Sequence, residues 1–113
     1  MQISVKEKNG VDICYIKGEI NIDTSSQLKK VFGEFIVKKS RKILLNFKDV
    51  EYIDSLGIAT LVGLMKSLRE IQGTMFLCNL SAKLGPVFGI TKMDRVLRIF
   101  ETEEEALREF YGY

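Results

Sequence analysis

The sequence predicts an α/β fold. It is one domain over residues 1–113, built on a mixed, mostly parallel sheet of about five strands with about four helices. Three observations predict it. Apolar strand-like runs alternate with helix-period stripes, in the order β-β-α-β-α-β-α-β-α. An Asn9-Gly10 turn joins the first two runs into a hairpin. Beyond that hairpin a helix separates each strand from the next, which calls for right-handed crossovers between parallel neighbours.

Gln2 to Lys8 alternates, with Ile3 and Val5 set against Gln2, Ser4 and Lys6. VDICYIKGEI, Val11 to Ile20, is β-branched and apolar; the first strand pairs with it antiparallel at an edge. Thr24 and Gln27 match a capping box. Leu28, Val31, Phe32, Phe35 and Ile36 then form one apolar stripe. Lys38, Lys39, Arg41 and Lys42 suit the negative end of that helix. KILLNF, Lys42 to Phe47, reads as a central strand covered on both faces.

A second helix begins near Ser55. Its stripe is Ile58, Leu61, Val62, Met65 and Leu68, widened by Leu64 and Ile71, and Gly73 follows as its C′ residue. Thr74 to Leu80 is another apolar strand. Ser81 caps a short helix carrying Leu84, Val87 and Phe88, its start blurred by Pro86. Arg95 to Phe100 alternates as the last strand. Thr102 with Glu105 opens a final helix that turns Ala106, Leu107 and Phe110 inward. The closing Glu109 to Tyr113 reads as a frayed terminus rather than an aromatic contact.

The hydrophobic fraction is 46% and the charged fraction 28%, the balance of a globular domain. A net charge of +2 gives no case for nucleic acid or an anionic membrane. No apolar run reaches the roughly eighteen residues of a spanning helix, and MQISVKEKNG lacks the apolar core of a secretory signal. The expected location is the cytoplasm. Cys14 and Cys78 sit in apolar runs and read as reduced core thiols. The absence of histidine excludes His-based triads and His-ligated metals, and no metal-ligand spacing occurs. No metal or cofactor is expected.

The most informative stretch is YIDSLGIATLVG, Tyr52 to Gly63. It carries Ser55 from the end of a strand into a helix, where open α/β sheets place their sites. The plainest reading makes Ser55 or Asp54 an N-cap. A serine nucleophile lacks a base and a G-x-S-x-G frame, and no glycine-rich phosphate loop is present. A phosphate-acceptor role asks instead that the hydroxyl be reachable and that the fold tolerate the added charge. Away from its apolar stripe the helix carries Ala59, Gly63, Lys66 and Glu70, with Leu56 and Thr60 alongside. Small residues there let another backbone approach. Gly57 does the same at the helix start.

The run LLNFKDVEYIDSLGIATLVGLMKSLREIQGTMFLCNLS, with IKGEINIDTSSQLKK before it and FGITKMDRVLRIFETEEEAL after it, resembles the STAS domain of bacterial anti-sigma factor antagonists. The resemblance spans essentially the whole chain, and Asp-Ser-x-Gly after an apolar strand is its most specific part. It implies sequentially ordered strands and a cytoplasmic regulator that is substrate and ligand, not catalyst. The unmodified protein would bind an anti-sigma factor serine kinase and release a sigma factor. The kinase would phosphorylate Ser55, and a PP2C-type phosphatase would reverse it. Partner contacts would fall on Asn21 and Thr24, on Asp54, Ser55, Leu56 and Gly57, and on Ala59, Thr60 and Gly63. Asn21 stands where relatives often carry aspartate, and Leu56 where serine or alanine is common. A second class stays open: a free-standing STAS domain that senses a ligand or scaffolds a stress-signalling complex, with weak nucleotide binding at the Asn21/Ser55 edge.

Overall fold

The structure, a computed structural model, describes residues 1–112. Five strands form one sheet in the order β1-β2-β3-β4-β5: β1 (Gln2–Lys8), β2 (Val11–Ile20), β3 (Lys42–Ile53), β4 (Thr74–Cys78) and β5 (Arg98–Phe100). β1 pairs antiparallel with β2, and the other neighbours are parallel. The helices are α1 (Ser25–Lys38), α2 (Ser55–Glu70), α3 (Gly85–Ile90) and α4 (Glu103–Tyr111). This is the expected class and order. Asn9 and Gly10 both take positive φ, as the turn between β1 and β2 requires.

The sheet divides two cores. On one face Cys14, Ile16, Ile43, Leu45 and Phe47 meet Leu28, Phe32 and Phe35 of α1, Leu61, Met65 and Leu68 of α2 and Phe88 of α3. On the other face Val11, Ile13, Leu44, Phe76 and Cys78 meet Ala106 and Leu107 of α4. β3 is therefore covered on both sides, as its continuous apolar run requires. Both cysteines are free and buried, and burial pushes each thiol up to about 12.

Several local expectations need correction. β3 does not end near Phe47 but continues to Ile53. Its register against β2 slips twice, between Tyr15 and Lys17 and between Gly18 and Glu19. Each slip gives β3 an extra residue, so Phe47, Val50 and Ile53 reach the same core at a spacing of three. β4 stops at Cys78 rather than Leu80. The last strand starts only at Arg98, because Met93–Arg95 form a 3-10 turn. At the end of α2 the left-handed residue is Gln72, while Gly73 donates its N–H to the Leu68 carbonyl at 2.7 Å. The chain end up to Tyr111 is held, not frayed. The Phe110 ring lies 4.2 Å from that of Phe76, and the Tyr111 hydroxyl donates to the Lys8 carbonyl. Tyr113 lies outside the described residues.

Candidate functional site

β3 runs into α2 through one residue, Asp54. Its backbone is extended, and its Oδ1 accepts the Gly57 N–H at 2.7 Å. Asp54 is thus the N-cap, and Ser55 is the first helical residue, with an exposed side chain. The Asp54 N–H donates to the carbonyl of Ile20 at 3.2 Å, tying the Ser55 turn to the end of β2. Gly57 lies against that same carbonyl. A Cβ built there would stand 2.6 Å from the oxygen and 2.8 Å from Cγ1 of Ile53. Gly57 is glycine because no side chain fits.

The loop after β2 is a compact polar turn. The Asn21 side-chain oxygen accepts N–H groups from Asp23 and Thr24 at 2.9 and 3.2 Å. The Thr24 hydroxyl accepts from the Asn21 N–H at 2.9 Å and donates to the Glu19 carbonyl at 2.7 Å. Thr24 therefore does not act in a capping box with Gln27: its backbone is helical and its oxygen makes no cap hydrogen bond. Asn21 and Ser25 link the turn to α1 instead, the Ser25 hydroxyl donating to the Asn21 carbonyl at 2.7 Å.

The structure brings the Asn21 and Ser55 turns side by side, and Leu56, Ala59 and Gly63 are exposed on the outer side of α2. Among the expected contact residues Gly57 is buried under the helix start, and so is Thr60. Thr60 is only 6% exposed, and its hydroxyl donates back to the Leu56 carbonyl at 2.9 Å. A groove of about 500 Å³ runs along α2, from Ser55 past Ala59, Val62 and Gly63 to Lys66, with Thr91 and Met93 as its far wall. A second groove, of about 400 Å³, lies on the α1 side between Lys29, Leu56 and Ser67. Sequence reasoning missed the far wall and the apolar residues that stand out around this end, Ile22 at 71% and Ile90 at 83% exposed. Ile22 had a signal, an isoleucine inside an otherwise polar loop. Met93 and Ile90 had none, since apolar residues after Phe88 read as more core.

Chemically the site is poor in catalytic groups. The one carboxylate beside Ser55 is engaged in capping, and the described residues contain no cluster of three or more potential metal ligands. What the arrangement offers is a reachable hydroxyl at a helix N-terminus beside an apolar groove. That defines a domain of the α/β class with an exposed serine at the start of a helix, on the rim of a groove.

Comparison with known proteins places that class. The STAS domain family matches residues 2–106, and the chain belongs to it. A Thermotoga neapolitana protein named as an anti-sigma factor antagonist homologue is 39% identical over 95 residues, covering 83% of this chain and 84% of its own. The anti-sigma-B factor antagonist of Listeria monocytogenes is 30% identical over 105 residues, covering 93% and 91%. The crystal structure of an anti-sigma factor antagonist from Thermotoga maritima superposes with a TM-score of 0.88 at 34% identity, covering 95% of this chain and 92% of that one. Among the described residues no helix is long and apolar enough to cross a membrane.

Proposed function

We propose that this chain is an anti-sigma factor antagonist. Its unmodified form binds an anti-sigma factor serine kinase in the cytoplasm and so frees the sigma factor, and phosphorylation of Ser55 ends that binding. The observation that carries the reading is the position of Ser55: exposed, first in α2, at the rim of an apolar groove. The relatives' names support the antagonist role.

The physics of the switch follows from two environments. In the free domain a phosphate on Ser55 meets the positive end of α2, worth about 0.3–1 kcal/mol for a unit charge. Asp54 opposes it, so the fold survives almost unchanged. Against a partner the same group becomes a buried dianion, and an unpaired buried charge costs several kcal/mol. About 3 kcal/mol already weakens affinity roughly a hundredfold. A PP2C-type phosphatase resets the hydroxyl. Asn21, Leu56, Ala59 and Gly63 contact the kinase, and Asp54, Gly57 and Thr24 hold the two turns in place. A nucleotide at the Asn21/Ser55 edge finds the Asn21 oxygen and the Thr24 hydroxyl already bonded within their own turn, which favours the partner-switch reading over ligand sensing.

The test is to incubate the chain with the kinase and ATP and to map the phosphate by mass spectrometry. Modification elsewhere, with Ser55 untouched, overturns the assignment.

A further inference from the structure

A second recess lies at the carboxyl ends of β2, β3 and β4, among residues the Ser55 site does not use. It holds about 410 Å³, and its polar lining is Lys17, Lys48, Asp49, Glu51, Ser81 and Lys83. The two register slips of β3 build it. Between the pairs Tyr15–Asn46 and Lys17–Asp49, β2 has one residue and β3 has two. Between Gly18–Val50 and Glu19–Tyr52, β2 has none and β3 has one. The extra residues fall at Phe47-Lys48 and at Glu51, so both slips deliver a charged side chain to the recess. Bulges re-aim side chains in this way, often beside binding sites, and the carboxyl end of a parallel sheet is where ligands of open α/β folds sit.

The charges there are unspent. Lys17, Lys48 and Lys83 come from three separate segments, and among the described residues none of them forms an ion pair, although two carboxylates line the same recess. The Ser81 oxygen accepts the Leu84 N–H at 3.3 Å, which leaves its own proton to donate. A bare oxyanion would satisfy the ammonium groups but face Asp49 and Glu51. A ligand carrying both an anion and hydroxyl groups answers both sets.

We infer that this recess binds a phosphate monoester of a polyhydroxylated small molecule, a sugar phosphate or a nucleotide. The phosphate sits among Lys17, Lys48, Lys83 and the Ser81 hydroxyl, and sugar hydroxyls donate to Asp49 and Glu51. The charges face water, so binding is weak and falls with salt. The site is independent of Ser55 and of the partner switch.

Amide NMR titration of the whole chain tests it, with ribose 5-phosphate, inorganic phosphate, ribose and adenosine monophosphate as separate probes. Ribose 5-phosphate is expected to shift residues 48–51 and 81–83 saturably and to bind more tightly than phosphate or ribose. The Lys48→Gln/Lys83→Gln variant, folded by circular dichroism, should weaken it about tenfold or more. Adenosine monophosphate binding at the same residues, more tightly than the sugar phosphate, names the nucleotide as the source. Shifts that do not saturate, that persist undiminished in the double variant, that inorganic phosphate reproduces at equal affinity, or that fall only on residues 21–24 and 55–58 overturn the inference.

Discussion

Gly57 and Ile20 meet where nothing larger than hydrogen fits: a Cβ on Gly57 would stand 2.6 Å from the Ile20 carbonyl oxygen. The first turn of α2 is therefore seated on the end of β2, and that seat also fixes Ser55. Gly57→Ala must push the helix away from the strand. It is expected to cost about 1–3 kcal/mol, the range of overpacking in a close-packed interior. Urea unfolding measures the cost, and wild-type stability in the variant would remove Gly57 as the positioning residue.

Asp54 caps α2 through Gly57. Asp54→Ala should lower stability by about 1 kcal/mol, whereas Asp54→Asn, which keeps an acceptor, should stay within a few tenths of wild type. Thermal unfolding of the two variants side by side separates capping from charge.

Ser55→Ala should bind the kinase and resist phosphorylation. Ser55→Asp should unfold at the same denaturant concentration as wild type, since its carboxylate sits at an exposed helix N-terminus, yet lose about a hundredfold or more in partner affinity. Calorimetric titration with the kinase reads the affinity. Tight binding by the aspartate variant would refute the charge mechanism.

Glu103 at the start of α4 accepts the Tyr15 hydroxyl at 2.8 Å and the Asn46 amide at 3.1 Å. Glu103→Ala strands both donors and should cost about 1–3 kcal/mol. Hydrogen exchange would show where: protection should fall in α4 and in β2 around Tyr15 more than in α1 or α2.

Alkaline pH should unfold the protein. Burial first, then the hydrogen bond to Glu103, raises the Tyr15 phenol from 10 to about 12, and burial raises both thiols from 9 to about 12. In each case the unfolded chain loses its proton first and the folded chain keeps it. Stability is full below pH 9 and declines as pH climbs toward 12. Replacing Cys14 and Cys78 with alanine should flatten the early part of that decline, between pH 9 and 10, when unfolding midpoints are compared.

The sheet and its helices were readable because their signals are local: the Asn-Gly turn, the apolar runs and the stripes. The readings that failed show where locality ends. Thr24 and Thr102 share the capping-box spelling. Thr102 has extended backbone and accepts the Glu105 N–H; Thr24 is helical and gives its proton to Glu19. The shape of the preceding turn, which sets Asn21 and Glu19 against the Thr24 hydroxyl, decided between them. The second half of β3 was hidden because its two bulges replace period-two alternation with Phe47, Val50 and Ile53. Ser55 stood out by its motif, but the far wall of its groove arrives from Thr91 and Met93, over thirty residues on. The Tyr15–Glu103–Asn46 cluster joins positions 88 and 57 residues apart, beyond any pattern in a window.

The spatial order of the strands is also their order along the chain. During synthesis each strand that leaves the ribosome meets a finished edge, never a gap waiting for a later segment. Maturation can thus proceed from the amino end by accretion, each sheet closure spanning either the Asn9-Gly10 turn or one helical connection, so that loop-closure entropy stays modest. Only α4 must reach back, over Lys8 and Tyr15. Arrested nascent chains ending before Glu103 should already protect β1 to β3 from protease, leaving the second face as the last to be shielded.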